Sequence, residues 1–155
     1  MQPSVRVKIT DFGLAKRLSN RKTTALVTKG IGTAGYKAPE VVELWYSEDP
    51  NRHLNHFSRR SYTFRADIWS LGCVVVRMFV GEDNRLFHSD TELMDKRRLR
   101  QQVRSIGKIL ERGTNHIGPE GIRFIQRLVV IREKDRYDAE SALEALEKWT
   151  VSETT

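Results

Sequence analysis

Cysteine is nearly absent from this 155-residue sequence, which contains Cys73 alone. A single cysteine excludes an internal disulfide and fits a protein of a reducing compartment. Apolar runs are short, and none reaches the 18 residues that an ordinary transmembrane helix needs. The first six residues have no apolar stretch and do not resemble a secretory signal. We therefore expect an intracellular protein, cytoplasmic or nuclear, with no membrane partner.

Charge is plentiful in this sequence. The 27 Lys and Arg residues outnumber the 20 Asp and Glu residues, which gives a net charge of +7. Charged residues make up 30% of the chain and apolar residues 39%, as expected of a soluble protein with a modest core. The length fits one domain. The positive excess favours acidic partners but does not indicate a fold.

The first part of the chain predicts little regular structure. Residues 5–9 alternate apolar and charged side chains, a period that predicts a short strand. Residues 14–35 are polar and show no helical stripe, so we expect a long loop. A short helix is predicted over residues 38–46, beginning near Pro39. Residues 47–63 are again polar and predict a surface insertion.

The rest of the chain predicts helices. Residues 67–80 are apolar nearly all round, which predicts a helix with neighbours on every side. A second helix is predicted from near Ser89, at a sequence that resembles a capping box, to a stop at Gly113. A third helix should begin at Pro119, and a fourth should follow Asp138 as its N-cap.

Four short motifs occur in a fixed order along the chain. Thr-Asp-Phe-Gly at 10–13 follows the predicted strand, and Gly-Thr-Ala-Gly-Tyr-Lys-Ala-Pro-Glu occupies 32–40. Asp-Ile-Trp-Ser-Leu-Gly lies at 67–72 and Lys-Asp-Arg at 134–136. Asp-Phe-Gly alone is also compatible with a plain turn. Together, in this order and spacing, the motifs resemble the second half of a eukaryotic-type protein kinase domain.

The resemblance implies a serine/threonine kinase, because Leu14 and Thr33 are similar to residues of that branch. It also implies a mainly α fold, a partial kinase C-lobe with one or two short strands at its N-terminal end. Asp11 resembles the aspartate that holds Mg²⁺ against the phosphates of ATP. Phe12 and Gly13 complete that motif, and Thr33 resembles the threonine that positions the substrate hydroxyl.

The resemblance further implies a long-range ion pair. Glu40 and Arg136 are similar to two residues that join the end of the activation loop, residues 14–35, to the helical subdomain, residues 67–149. The alternative is that both are ordinary surface charges. On this interpretation the whole chain, residues 1–155, is one partial kinase domain.

A third carboxylate has two compatible interpretations. Asp67 resembles the aspartate that accepts backbone N–H groups of the kinase catalytic loop, and it is also placed to be the N-cap of its own helix. Trp69 and Gly72 belong to the same motif, and the resemblance implies structural roles for both.

Several parts of a kinase are missing from this sequence. It has no Val-Ala-Ile-Lys strand, no partner glutamate helix and no His-Arg-Asp loop to supply a general base. Residues 30–35 have the literal spacing of a Gly-rich phosphate loop, but they lie just before Ala-Pro-Glu and open no hairpin. Because phosphoryl transfer depends on positioning and electrostatics, we expect this chain to be inactive alone. It would be a truncated product or one part of an assembly; the alternative is a non-catalytic kinase-like interaction module.

The basic segments are open to more than one interpretation. In the family, basic side chains hold phosphate on the activation loop, which makes Thr23, Thr24 and Thr28 candidate phosphosites. The run Lys-Arg-Arg-Leu-Arg at 96–100 is compatible with an acidic substrate dock, nuclear import, nucleic acid or a solvated helix face. No aromatic residue interrupts that run, which argues against base stacking and makes a nucleic-acid partner the weakest of these.

The expected partners follow from the missing parts. Protein substrates are one class, and a complementary kinase segment is the other. Because a single remaining neighbour cannot cover an all-round apolar helix, we expect residues 67–80 to expose an apolar patch. The strand at 5–9 should likewise have an unpaired edge.

Overall fold

A computed structural model of the chain describes six segments, residues 6–15, 24–25, 32–46, 62–81, 84–113 and 117–153. Within them the chain forms six α-helices and one pair of two-residue strands. The helices are α1 (Pro39–Trp45), α2 (Arg65–Val80), α3 (Asp90–Met94), α4 (Lys96–Glu111), α5 (Pro119–Leu128) and α6 (Ala139–Glu153). The strands are β1 (Thr24–Ala25) and β2 (Tyr62–Thr63). The mainly helical fold expected from the sequence is therefore confirmed.

The strand predicted at 5–9 is wrong over the residues that the structure describes. Residues 6–10 have no regular secondary structure, and the side chains of Val7 and Ile9 are 88% and 82% exposed. A strand needs a partner, and no described segment pairs with this one. The observed pairing is elsewhere: β1 and β2 are antiparallel, with Thr24 opposite Thr63. They fall in the predicted loop and the predicted insertion.

Helix α1 begins at the predicted proline. Pro39 occupies the first turn, where its missing N–H removes no hydrogen bond, and Ala38 precedes it in extended backbone. Helix α2 begins at Arg65, two residues before the predicted start, and ends at Val80, with Gly81 as its C-cap at φ 90°. The start and end of this helix thus place the Asp-Ile-Trp-Ser-Leu-Gly motif within its first eight residues.

The single helix predicted from Ser89 to Gly113 is two helices. Asp95 adopts extended backbone, with φ −73° and ψ 98°, and ends α3 while it begins α4. Its carboxylate accepts hydrogen bonds from the backbone N–H groups of Arg97 and Arg98, at 2.9 and 3.2 Å. A side chain that caps a new helix favours a break at that point.

The core lies where α2 meets α4 and α5. Its fully buried side chains include Trp69, Val76, Ile106, Leu110, Ile125 and Leu128. Gly72 allows the close approach of α2 to the end of α5. A Cβ on Gly72 would stand 2.5 Å from Cγ2 of Val129 and 2.9 Å from Cβ of Leu128. The absence of a side chain at Gly72 therefore permits a close contact between α2 and the end of α5.

Helix α2 is not covered on every side. Leu71, Val74 and Met78 are 48%, 44% and 67% exposed, and their spacing of three and four residues places them on one face. The expectation of neighbours all round is wrong for this face, whereas the expected exposed apolar patch is present. No helix among the described residues is both long enough and apolar enough to cross a membrane.

Candidate functional site

Asp11 has an unusual backbone. Its φ and ψ are both 60°, in the left-handed region, and it is the one non-glycine residue with positive φ in the described segments. Asp tolerates this conformation better than most residues, and such positions are often functional. The residue is exposed, and its carboxylate does not cap the short 3₁₀ turn Phe12–Leu14 that follows. One carboxylate oxygen lies beside Gly13, 3.6 Å from where a Cβ would stand.

The apolar side chains around Asp11 are also exposed. Phe12 is 67% exposed and Leu14 is 58% exposed, in addition to the exposed Val7 and Ile9. No hydrogen bond or ion pair of the described residues involves the Asp11 side chain. The segment 6–15 therefore presents a carboxylate that is free to accept a ligand, without packing that would hold it in place.

The loop before α1 is held much more firmly. The carbonyl of Thr33 accepts a hydrogen bond from the backbone N–H of Tyr36 at 3.3 Å, which closes a turn. Gly35 sits in that turn with φ 80°, so close to Phe87 that a Cβ would stand 2.2 Å from its carbonyl oxygen. A side chain at position 35 is excluded twice, by the backbone conformation and by the contact. Thr33 itself is exposed.

Two side chains of helix α2 donate hydrogen bonds to the same loop. The Ser70 hydroxyl donates to the backbone carbonyl of Tyr36 at 2.8 Å. Nη1 of Arg77 donates to the Tyr36 hydroxyl at 2.8 Å. Both ends of the tyrosine are thereby tied to one rigid helix, which orients the loop relative to the core.

A buried ion pair that the sequence did not predict fixes this loop from the other side. Nζ of Lys37 lies 2.7 Å from Oδ2 of Asp90, with side-chain exposures of 10% and 8%. The same ammonium lies 4.0 Å from the centre of the Trp45 ring, a cation–π contact. Oδ1 of Asp90 accepts a longer hydrogen bond, 3.4 Å, from the Gly35 N–H. The only signal in the sequence was a lysine directly before the apolar Ala-Pro pair.

Glu40 and Arg136 are brought together across 96 residues. Nη1 and Nη2 of Arg136 donate to the two carboxylate oxygens of Glu40 at 2.8 and 3.0 Å, a bidentate pair. The arginine side chain is fully buried, whereas Glu40 is 19% exposed. Further hydrogen bonds go to the carbonyls of Val130, at 3.0 Å, and Arg65, at 2.7 Å. The guanidinium also lies 5.1 Å from the Trp69 ring centre.

Trp69 links this ion pair to the core. Its ring stacks on Phe87, with centroids 5.8 Å apart and planes inclined by 19°. Its indole N–H is buried and has no hydrogen-bond partner among the described residues. Nearby, burial raises the pKa of the Cys73 thiol from 9.0 to about 12, against a smaller lowering by Arg136. Cys73 is therefore a protonated core residue and not a nucleophile.

Asp67 is not the N-cap of its helix. Helix α2 begins at Arg65 with Phe64 as its N-cap, so Asp67 is the third helical residue and the alternative role is wrong. Its carboxylate has no hydrogen-bond partner in the described part of the chain. Partial burial raises the pKa of that carboxyl above 3.8. The residue as a whole remains exposed, so water limits the effect.

A second polar cluster, also missed by the sequence analysis, joins the start of α2 to the start of α6. Oε1 of Glu133 accepts the Thr63 N–H at 2.7 Å. Arg65 donates to the carbonyl of Lys134 at 2.7 Å and to Oδ2 of Asp138 at 3.1 Å. These bonds hold β2 against the segment that carries Lys-Asp-Arg.

The candidate phosphosites are mostly outside the described segments. Thr23 and Thr28 lie there, and Thr24 belongs to β1. The described residues thus bring together the loop before α1, Trp69 and the Glu40–Arg136 pair. They do not join Asp11 to that group by any hydrogen bond or ion pair.

The described residues fit a metal site only in part. The Asp11 carboxylate is a hard oxygen ligand of the type that Mg²⁺ prefers, and Mg²⁺ often takes only one or two protein carboxylates beside phosphate oxygens. Within the described segments, no group of three or more His, Cys, Asp or Glu side chains is placed to hold a metal ion. Asp11 would therefore contribute one ligand, and the groups that would hold the nucleotide must come from elsewhere.

Comparison with known proteins identifies the family. The sequence model described as "Protein kinase domain" matches residues 1–148. The serine/threonine-protein kinase cds1 of Schizosaccharomyces pombe is 33% identical over 146 residues, which cover 94% of this chain and 28% of that protein. Mitogen-activated protein kinase 15 of Arabidopsis thaliana is 28% identical over 89% of this chain and 26% of its own length. The probable CTD kinase subunit alpha homolog of Encephalitozoon cuniculi is 29% identical over 72% of this chain and 27% of its own length.

The chain spans less than a third of the length of these relatives. The family match nevertheless covers nearly all of its residues, and one of the relatives named above is a serine/threonine-protein kinase. The chain belongs to the protein kinase domain family.

Proposed function

We propose that this chain forms part of a serine/threonine kinase domain that transfers the terminal phosphoryl group of ATP to proteins. The observation that carries the proposal is the backbone of Asp11. A non-glycine residue with φ 60°, two positions before a glycine and with an exposed carboxylate that caps nothing, is placed to bind a cation. The family match and the similarity to a serine/threonine-protein kinase of Schizosaccharomyces pombe support the same function.

In this proposal Asp11 is one ligand of Mg²⁺, with Phe12 and Gly13 completing its motif. Bound Mg²⁺ neutralises charge on the phosphates of ATP and so favours their transfer. Thr33 is exposed at the edge of the firmly held loop, where it can hydrogen-bond a substrate hydroxyl. Its turn is fixed on both sides by the contacts of Gly35 and Tyr36, so the loop would meet a substrate without rearrangement.

The Glu40–Arg136 pair is proposed to fix the end of the activation loop, residues 14–35, against the helical subdomain. The support is its bidentate geometry and the burial of the arginine. Asp67 is proposed to accept backbone N–H groups from a catalytic loop that this sequence lacks. Its unpartnered carboxylate and its raised pKa support that role. Trp69 and Gly72 are proposed as structural residues of the same region.

We propose that the isolated chain is inactive and that a complementary kinase segment completes it. The sequence contains no general base, no ATP-anchoring lysine strand and no phosphate-covering hairpin. The exposed apolar stripe of α2 and the exposed segment 6–15 are surfaces that such a segment would cover. Protein substrates are the other proposed partners. The intracellular location, cytoplasmic or nuclear, and the candidate phosphosites Thr23, Thr24 and Thr28 remain proposals too.

A phosphotransfer assay tests this function. The isolated chain and the full protein that carries it are each incubated with Mg·ATP and a library of serine- and threonine-containing peptides. We expect transfer only by a protein that also contains the missing parts, and we expect Asp11→Asn to lower it by about a hundredfold or more. Glu144→Gln is the control, because Glu144 is an exposed carboxylate of α6 that lies outside the four motifs. Transfer should be unchanged by it.

Two results would contradict the proposal. Micromolar binding of Mg·ATP by the isolated chain, lost in Asp11→Asn, would show that no complementary segment is needed. Full activity of the Asp11→Asn protein would remove the role of that carboxylate. If no protein carrying this chain contains the missing parts, the non-catalytic interaction module is the better description. The firmly packed loop before α1 favours that second function, since it is complete without nucleotide.

A further inference from the structure

Helix α4 has two faces of opposite character. Leu99, Ile106 and Leu110 are buried against the rest of the fold. The opposite side carries exposed basic side chains at the spacing of one helix face, namely Arg97, Arg100, Arg104 and Lys108. We call these four residues the basic face. They span 12 residues, and the 11 steps between the first and the last correspond to about 16 Å of helix.

A groove runs along the basic face. Its volume is about 510 Å³, and its lining consists of Arg97, Arg100, Gln101, Arg104, Ser105 and Lys108. No carboxylate lines it. Gln101 also lines a smaller groove of about 270 Å³ on one side. Arg100 lines another, of about 280 Å³, on the other side. The surface is therefore a continuous shallow track and not an isolated pocket.

The basic face lacks the ion pairs that other arginines of the fold have. Arg98, on the same helix, lies 3.7 Å from a carboxylate oxygen of Glu92, and Arg123 pairs with Glu120. Among the described residues, none of the four side chains of the basic face has an ion-pair partner. Their charges are thus available to a partner from outside this region.

This arrangement is unfavourable for α4 on its own. Arg104 stands four residues from both Arg100 and Lys108, and each such like-charge pair costs about 0.2–0.5 kcal/mol. The first turn of α4 contains basic residues and no acidic residue. Positive charge at this end interacts unfavourably with the helix dipole, and only the N-cap Asp95 has the favourable sign. An anionic ligand would relieve both effects, so charge complementarity identifies the occupant.

We propose that the basic face is a docking site for an acidic segment of a protein partner, rich in Asp and Glu. The guanidinium groups match carboxylates in bidentate geometry, and Gln101 and Ser105 can bond the peptide backbone between them. About 16 Å of groove accommodates roughly five extended residues. The site deepens the proposed function, because the partner would be a substrate. Its binding needs no nucleotide, so its failure leaves phosphotransfer untouched.

The neighbouring grooves carry charges of both signs and favour neither side of the basic face. The groove beyond Arg100 is lined by Glu40, Glu43 and Lys96, and the Glu40 carboxylate is already paired with Arg136. The groove beyond Gln101 contains Arg98 and Glu92, which lie 3.7 Å apart.

A protein segment fits this surface better than nucleic acid does. Single-stranded nucleic acid is usually held by aromatic side chains on which bases stack, and no aromatic residue lines the groove. The basic face is also confined to one side of a single helix, whereas a duplex would need contacts over a broader surface. Nucleic acid is accordingly an outcome of the test and not the proposal.

The test is binding of a fluorescein-labelled peptide of about eight residues that alternates Glu with Ala, measured by anisotropy without ATP. The protein is used as the full chain, and a peptide with Gln in place of Glu is the control ligand. We expect saturable binding of the acidic peptide, weakened as salt rises. Arg100→Glu/Arg104→Glu should weaken it about tenfold or more. Lys134→Glu/Lys148→Glu changes the net charge equally at exposed sites elsewhere and should leave it within about twofold.

A second pair of substitutions protects the test from a folding failure. Arg100→Gln/Arg104→Gln removes charge without reversing it and should weaken binding by a smaller factor, with an unchanged circular dichroism spectrum. Three results would overturn the proposal: no binding of the acidic peptide, equal weakening by the distant control pair, or tighter binding of single-stranded or duplex DNA that the same substitutions at 100 and 104 abolish.

Discussion

The two parts of the candidate site differ sharply in how they are held. Asp11 lies in a segment whose apolar side chains are 58–88% exposed and whose carboxylate has no partner in the described chain. The loop from Gly35 to Glu40 is tied by two buried ion pairs, a stacked tryptophan and hydrogen bonds from α2. Both regions carry motifs of the same family, but only the loop from Gly35 to Glu40 has its packing and hydrogen-bond partners within the described part of this chain.

The difference follows from where the partners of each segment lie. The loop before α1 contacts α2, α3 and the residues around Arg136, all of which belong to this sequence. The segment 6–15 has no described neighbour for Val7 or Ile9, although each is apolar. A region that carries chemistry but no packing cannot hold a charged group to the precision that phosphoryl transfer needs. The proposed function therefore depends on added contacts at 6–15, and the docking of substrate does not.

The largest expected effect is the loss of the Glu40–Arg136 pair. Glu40→Ala leaves the fully buried guanidinium without its counter-charge, which costs about 3–5 kcal/mol of unfolding free energy. Urea denaturation measures it. Glu43→Ala on the same helix removes an exposed glutamate and should cost less than about 0.5 kcal/mol. A loss below about 1 kcal/mol for Glu40→Ala would show that the loop is no better fixed than the segment at Asp11.

Removal of the lysine from the second buried pair should have a smaller effect. Lys37→Met leaves Asp90 buried with only the long bond from Gly35, and a charged hydrogen bond is worth about 1.5–3 kcal/mol. The loss is expected in that range, measured by the same denaturation. Lys37→Met/Asp90→Asn should recover part of it, because no unpaired charge remains. Equal losses in the single and double variants would contradict the ion pair as the cause.

Two helical glycines test how tightly the core is packed behind the loop. Gly72→Ala places a methyl group against Val129 and Leu128 and should cost about 1–3 kcal/mol despite the better helix propensity of Ala. In α4, the methyl group of Gly107→Ala would stand 3.1 Å from the flexible end of Gln126 and at an ordinary contact distance, 3.6 Å, from Cγ2 of Ile122. The substitution should be neutral or stabilise by up to about 1 kcal/mol. Thermal unfolding of both variants measures the contrast, and equal shifts would mean that α2 and α5 are not in close contact.

The sequence predicted some of these features and missed others for physical reasons. Helix starts at Pro39 and Pro119 were predictable because proline has a local preference for the first turn. The strand predicted at 5–9 was wrong because alternating apolar and charged residues can define one apolar face of a strand, but they do not supply a second strand to pair with it. The Glu40–Arg136 contact was accessible only through the family resemblance, since nothing local indicates which charges meet across 96 residues. Lys37 belongs to the motif at 32–40, but Asp90 lies in no motif, so the sequence did not indicate that the two residues would pair.

A substitution in the exposed segment tests the other half of the comparison. Ile9→Ser should change the unfolding free energy of the isolated chain by less than about 0.5 kcal/mol, because the side chain is 82% exposed. Ile125→Val, at a fully buried site, should cost about 0.5–1.5 kcal/mol in the same experiment. In a complete kinase domain the cost of Ile9→Ser should rise if a complementary segment covers it. A cost above about 1 kcal/mol in the isolated chain would mean that residues 6–15 are packed.

A modest pH dependence is expected at the start of α6, outside both of the regions compared above. Asp138 accepts the Ser141 N–H at 2.9 Å and pairs with Arg65 at 3.1 Å. Mainly through the Ser141 bonds, its pKa falls from 3.8 to about 2. A lowered pKa means that the folded state binds this proton less readily than the unfolded state. The contribution of the Asp138 carboxylate to folding stability is therefore present above pH 4 and is lost between pH 4 and pH 2.

Asp138→Asn should lower Tm by roughly 1–4 °C at pH 6, and the difference from the unsubstituted chain should vanish near pH 2. Glu144→Gln, at an exposed position of the same helix, is the control and should show no such convergence. A Tm difference for Asp138→Asn that is equally large at pH 6 and pH 2 would assign its effect to side-chain shape and not to charge.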